Sequence, residues 1–191
     1  MPMDEELEIF VTACDNLVLS GCDPSSCVSQ VAPLMLELVK TGTQLLTPDQ
    51  MQEDPKTYAR NAIHLGDADG TSLFALVWLP GQWTPIHDHG TWGVVGILEG
   101  VLEERSFLPV NNFKESNEKY ELQTGGTVLL NSGSVGTFVP NPDHIHVTGV
   151  PQDRKKVVSL HLYGRRMNNF HFYDLDNSTR QLIDVSHFES K

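Results

Sequence analysis

The sequence predicts an all-β fold, an antiparallel sandwich or small barrel, with a helical cap at its N-terminus. Three observations lead there. From Tyr58 onward, short β-prone runs alternate with clusters of Gly, Pro, Asn and Asp at a spacing of about ten residues. Before that point, apolar residues recur at helical spacing. Nothing divides the chain: it shows no fixed-period repeat, no low-complexity segment and no shift of composition. Its 191 residues suffice for one compact domain with a sizeable core. The expected organisation is a single domain over 1–191, with 1–54 as the cap and 55–191 as the barrel.

Within the cap, Glu5 to Leu19 places Leu7, Phe10, Val11, Cys14 and Leu17 on one helical face. Ser25 or Ser26 is positioned to cap a second helix with Val28, Val31, Leu34, Met35, Leu38 and Val39 facing inward, and Gly42 is its stop signal. Thr47-Pro48-Asp49 starts a third, short helix. The strands expected beyond the cap are Ala59–Leu65, Ser72–Leu79, Trp92–Leu98, Val101–Leu108, Lys119–Leu122, Thr127–Asn131, Gly136–Val139, Ile145–Val150, Val157–Tyr163 and Phe170–Asp174. Turns are expected at Gly66–Gly70, Pro80-Gly81, Gly125-Gly126, Pro140–Asp143 and Pro151–Asp153.

Composition excludes several classes of function. Lys and Arg total 13 against 25 Asp and Glu, a formal charge of −12. Such a chain is unsuited to nucleic-acid backbones and to anionic membrane surfaces. No apolar run approaches the roughly 20 residues of a membrane span, and the acidic Met1 to Glu8 segment does not read as a signal peptide. The three cysteines, Cys14, Cys22 and Cys27, are odd in number and clustered. They do not make a disulfide framework and fit a reducing cytoplasm.

The histidines carry the chemistry. Six of the eight lie between His87 and His171, and four form two His-x-His pairs, His87/His89 and His144/His146. On an extended chain, residues i and i+2 share a face, so each pair can direct two imidazoles at one metal ion. Ser159, His161 and Tyr163 follow the same alternation and would all face one spot.

With Gly81 six positions before His87 and Gly100 eleven after His89, the segment resembles the first motif of the cupin superfamily. That resemblance implies a double-stranded β-helix (jelly-roll) barrel around a mononuclear metal. The glutamate ligand usual in that motif is missing, since Gly93 and Val94 stand at its positions. The chain also resembles the thiol dioxygenases, which comprise cysteine dioxygenase and the bacterial 3-mercaptopropionate dioxygenases. The likeness runs from Tyr58-Ala59-Arg60-Asn61 to about Asp174, and His146 stands thirteen residues before Ser159, the spacing of that family. It implies a ferrous iron held by His87, His89 and His146, a catalytic relay of Ser159, His161 and Tyr163, and a substrate carboxylate anchored by Arg60 with help from Tyr58. A small thiol would be oxidised by O2 to a sulfinic acid. Cysteine-selective members carry arginine where Arg60 stands, and mercaptopropionate-selective members typically glutamine, which points to L-cysteine over 3-mercaptopropionate or another mercapto-acid.

The animal enzymes link the relay tyrosine to a cysteine. This chain has no cysteine after Cys27, so no such link forms at Tyr163. A non-enzymatic metal- or ligand-binding cupin is the remoter alternative, since a passive binder has no use for the Ser-His-Tyr relay. His64, His171 and His187 are expected to be structural or surface residues. Trp78, Trp83 and Trp92 are expected to be core or pocket wall, and Trp83 and Trp92, which flank the metal segment, are candidates to shape the cavity.

Overall fold

The computed structural model describes residues 3–67, 70–110, 120–140 and 144–189. Two helices open it, α1 (Glu5–Leu19) and α2 (Pro24–Thr41). Each starts on an aspartate: Asp4 accepts from the Glu6 N–H, and Asp23 from the N–H groups of Ser25 and Ser26. Such caps satisfy donors that a first turn leaves open and contribute about 1 kcal/mol each. The cap of α2 is therefore Asp23, not Ser25 or Ser26. Pro24 occupies the first helical position, where its missing N–H costs nothing, and that moves both serines into the first turn. Gly42 closes α2 with φ of +71°, a conformation that favours glycine. Leu34, expected on the inner face, is 41% exposed and lies with Ile9 in a groove between the two helices. The third helix is one 3₁₀ turn, Pro48–Met51, whose Gln50 side chain accepts from the Thr47 N–H.

The strands are β1 (Ala59–Leu65), β2 (Ser72–Trp78), β3 (Gly93–Glu99), β4 (Val101–Pro109), β5 (Leu122–Asn131), β6 (Val135–Phe138), β7 (Ile145–Gly149), β8 (Val157–Tyr163), β9 (Asn169–Asp174), β10 (Thr179–Asp184) and β11 (Phe188–Glu189). The expected runs Lys119–Leu122 and Thr127–Asn131 are joined in β5, and Lys119 itself lies outside the described residues. Gly125-Gly126 is no turn: the strand runs through it, and the register against β4 shifts between Arg105 and Phe107, where Ser106 Oγ accepts from the Gly126 N–H. β10 and β11 were not expected, because β10 is polar and exposed along nearly its whole length and carries no hydrophobic period. Two expected turns fall partly outside the described residues, at Ala68-Asp69 and at Asn141 to Asp143.

One sheet has the order β11-β1-β2-β8-β3-β6, antiparallel except for the β1–β11 pair. The other combines β5-β4-β7 with the β9–β10 hairpin. The segment Trp83–His87 lies between these two groups, bridged to Gly149 and His146 on one side and to Phe172 on the other. Together the sheets form the double-stranded β-helix barrel that the sequence led us to expect.

The first sheet is buried on both faces, which is why β2 and β8 read as near-continuous apolar runs. Val94, Leu98, Val158, Leu160 and Leu162 face outward into a core shared with α1 and α2. Val95, Ile97, Phe74, Leu76 and Trp78 face the barrel interior. Among the described residues, no helix is long and apolar enough to cross a membrane.

Candidate metal centre

The first His-x-His pair does not lie in a regular strand. His87 and Asp88 are extended backbone threaded between β7 and β9, and only isolated bridges hold them. His87 and His146 exchange both backbone hydrogen bonds at 2.9 Å, so they are direct cross-strand partners with side chains on one face. His89 follows two residues on and joins them. The three rings lie 4.6–4.9 Å apart, centroid to centroid. One nitrogen from each falls within 4.8 Å of the other two.

All three imidazoles are buried and hold few protein partners. Nδ1 of His89 and both ring nitrogens of His146 make no hydrogen bond within the protein, and His87 Nδ1 lies 3.0 Å from the Pro85 carbonyl. Burial, reinforced by the neighbouring imidazoles, drives the pKa values of His87 and His89 well below the ordinary histidine range. Burial also lowers His146, although Glu104 opposes it. Neutral rings with orphaned lone pairs are the donor set a first-row divalent cation takes. The site fits a metal, and imidazole by itself does not single out which.

Two residues unseen in the sequence shape this cluster. Glu104 on β4, two positions from Ser106, the cross-strand partner of His146, and so on the same face, places a carboxylate oxygen 3.2 Å from His146 Nδ1 and another 3.1 Å from His144 Nε2. Burial alone would raise the Glu104 carboxyl, but its hydrogen bond with His144 and the nearness of His146 hold it well below the usual carboxylate range. With Nδ1 facing Glu104, Nε2 is the nitrogen His146 has free for the cluster. His144 therefore sits with Glu104 rather than among the three clustered imidazoles. Glu104, His144 and His146 form a second compact group of potential ligands.

The other missed residue is Phe138. Its ring stacks on His89 at 4.2 Å and 22°. A Cβ at Gly93 would come within 2.2 Å of it. The place where a cupin glutamate would start is filled by an aromatic ring, and Val94 points away into the helix-facing core.

A third missed residue, Asp88, lies buried between the paired histidines. It accepts from Tyr173 Oη at 2.8 Å and lies 3.1 Å from His171 Nδ1. Arg165 donates to the His89 carbonyl and to Asn169. Both residues tie down the histidine segment from outside. His171 is thus structural, as are His64, paired with Asp15, and His187, which lies against Phe74.

Ser159, His161 and Tyr163, the expected relay, stand together on the inner face of β8. Ser159 Oγ lies 2.9 Å from His161 Nε2, and His161 Nδ1 lies 3.5 Å from Tyr163 Oη. The second distance is long, as such contacts often are before substrate binds. Burial pushes the Tyr163 hydroxyl up to about 12 and holds His161 down to about 3, so near neutral pH the first keeps its proton and the second is uncharged.

One cavity is lined by the three clustered histidines together with Tyr58, Arg60, His161 and Tyr163. Arg60 lies across the Phe74 ring at 4.4 Å and donates to the carbonyls of Met167 and Ser186. Those bonds use two of its five donors. Tyr58 stacks on Trp78 at 4.6 Å and 19°. Trp78, read as core or pocket wall, lines the cavity, whereas Trp83 lies under Arg105 and Trp92 in the helix-facing core, so neither of the two singled out to shape the cavity does so.

The sequence profile of the cysteine dioxygenase type I family matches residues 36–185. Among solved structures the chain is similar to a Klebsiella pneumoniae protein with a double-stranded β-helix domain (12% identity, 70% of this chain and 93% of that one, TM-score 0.49). It is also similar to TT1209 of Thermus thermophilus (16% identity, 61% and 91%, TM-score 0.44). A third is a cupin protein of Methanocaldococcus jannaschii (10% identity, 61% and 87%, TM-score 0.41).

Proposed function

The chain belongs to the cysteine dioxygenase type I family, and on that premise we propose that it is a ferrous-iron enzyme converting L-cysteine and O2 to cysteine sulfinic acid. The observation that carries the reading is one cavity in which three neutral imidazoles meet a guanidinium and a protonated tyrosine hydroxyl. His87, His89 and His146 hold the iron through neutral ligands. Iron bound there would carry its double charge on neutral ligands, which favours the substrate's thiolate, and would supply the chemistry that adds both atoms of O2 to sulfur with no external electrons.

The chain's own residues do the positioning. Arg60 is braced by two backbone carbonyls and directs its remaining donors at the substrate carboxylate, a planar match that fixes a small molecule's orientation. Tyr58, stacked on Trp78, walls the same end of the cavity. Tyr163 holds a proton at Oη and presents it to the substrate carboxylate or the reacting oxygen. His161 holds that hydroxyl in place, and Ser159 steadies His161 from its other nitrogen. The chain acts as a single domain over 1–191, with 1–54 capping the barrel of 55–191. Burial of the apolar face of α2 against the first sheet supports this. Its free cysteines suit a reducing cytoplasm.

The test is anaerobic loading with ferrous iron, then oxygen uptake on cysteine, 3-mercaptopropionate, cysteamine and mercaptosuccinate, with product masses. The expected result is fastest uptake with cysteine, a gain of two oxygen atoms, and little uptake with cysteamine, which offers Arg60 no carboxylate. Preference for 3-mercaptopropionate would reassign the substrate, and no uptake on any thiol would sink the reading.

A further inference from the structure

Trp78 ends β2 on the barrel-facing side and is completely buried. Its indole nitrogen lies 2.9 Å from Ser159 Oγ, at the far end of the relay from the metal cluster. We infer that the Trp78 N–H sets the direction of every hydrogen bond in the relay and so turns the Tyr163 hydroxyl hydrogen into the cavity. The inference rests on the role given to Tyr163 above and adds a positioning residue to it.

The argument is a count of donors. An indole nitrogen can only donate, so Ser159 Oγ must accept from Trp78. Among the described residues, the Ser159 side chain has two hydrogen-bond partners, Trp78 and His161 Nε2. Its single hydroxyl hydrogen therefore goes to His161 Nε2. Any other arrangement strands a buried donor, which costs more than a hydrogen bond gains. An imidazole that accepts at Nε2 and is uncharged carries its proton at Nδ1, the nitrogen facing Tyr163 Oη. Tyr163 then accepts from His161, and its own hydrogen is free to point at whatever occupies the cavity.

The indole N–H bars the Ser159 hydroxyl hydrogen from turning towards position 78; without it that hydrogen can turn there, and the chain can run backwards. Ser159 would accept from His161 Nε2–H, Nδ1 would accept from Tyr163, and the cavity would meet only the lone pairs of Tyr163. A donor holds a carboxylate or a developing negative charge, and lone pairs repel both. Trp78 walls the cavity, but it is through Ser159 and His161 that its N–H decides which of these Tyr163 offers. The Tyr58 stack fixes the indole plane, and the Leu76–Ser159 pairing of β2 with β8 fixes its reach.

The test reads the tautomer of His161 directly, by ¹⁵N shifts of the ring nitrogens in the full-length, zinc-loaded chain, assigned with His161→Gln. One variant carries the sulfur analogue of tryptophan (benzothienylalanine) at position 78, which keeps the shape and removes only the donor. A second, Trp78→Phe, is available by ordinary mutagenesis. The native chain should show a protonated Nδ1, and the sulfur analogue should move the tautomer ratio towards Nε2–H by roughly fivefold or more, the effect of one neutral hydrogen bond. In the iron-loaded protein the same analogue should lower kcat more than it raises KM, and in a Ser159→Ala background it should have no added effect. A native His161 protonated at Nε2, or a ratio unmoved by the analogue, overturns the inference. A protonated Nδ1 in a chain that oxidises no thiol would uphold it while the proposed reaction fails. Thiol oxidation with Nε2–H would do the opposite.

Discussion

The two faces of β8 differ more than any two other regions of the molecule. Val158, Leu160 and Leu162 point out towards the helices and are apolar without exception. Between them Ser159, His161 and Tyr163 point in and are all polar, though buried equally well. One seven-residue strand thus packs against the helices on one side and lines the cavity with His161 and Tyr163 on the other. The outer face gains from burying carbon, while the inner face holds costly polar groups that are tolerable only because they satisfy one another. The faces should therefore respond to different perturbations.

The largest expected effect separates them by pH. His87, His89, His146 and His161 are uncharged in the fold, with values below 6.5 and about 3 for His161. In the unfolded chain each takes up a proton as pH falls through 6.5, so the unfolded state binds more protons and the metal-free fold loses stability as pH falls below 6.5, down to about 3 for the share of His161. Above 6.5 the effect vanishes. The slope is about 1.4 kcal/mol per pH unit for each histidine. Urea unfolding of metal-free protein at pH 7 and 5 measures it, and equal stability at both would refute the neutral-imidazole picture. Next, Leu160→Ala on the outer face should cost about 2–5 kcal/mol of stability while the folded protein keeps one metal per chain. Its inner-face counterpart, Tyr163→Phe, should lower turnover roughly a hundredfold at unchanged iron content and nearly unchanged melting temperature. Equal loss of iron and turnover would make Tyr163 structural. Smallest, Glu104→Gln should weaken metal binding roughly tenfold to a hundredfold by loosening the hold on His146 Nδ1, as read in a competitive chelator titration.

The contrast also explains what was legible in the sequence. The alternation in β8 and the two His-x-His pairs are local patterns, and the chain carries them into space unchanged. The strands from Ala59 to Asp174 announced themselves through turn residues and β-branched runs. Glu104 and Phe138 had no local signal, and Trp78 read only as core or pocket wall. Each acts across a sheet, so its role exists only once register is fixed: Glu104 by the pairing of β4 with β7, Phe138 by that of β6 with β3, Trp78 by that of β2 with β8. Asp88 had a faint signal, a charged residue at a position that must turn away from its histidine neighbours. The cap of α2 was misplaced by two or three residues because Ser25 and Ser26 are also good caps, and Pro24 decided between them.

The bridging of His87 to His146 has a mechanical consequence. Elsewhere the barrel is stitched by continuous ladders, but around the metal ligands the second sheet is joined by isolated bridges. An ion gripped by His87, His89 and His146 would act there as a rivet, pinning two stretches of chain that are remote in sequence where backbone pairing is thinnest. Occupancy would then be written into the melting curve: free metal at a hundred times its dissociation constant adds about 2.7 kcal/mol to the folded state. A cell short of metal would hold not merely an idle copy of this protein but a looser one, opening first at the seam where the ion belongs.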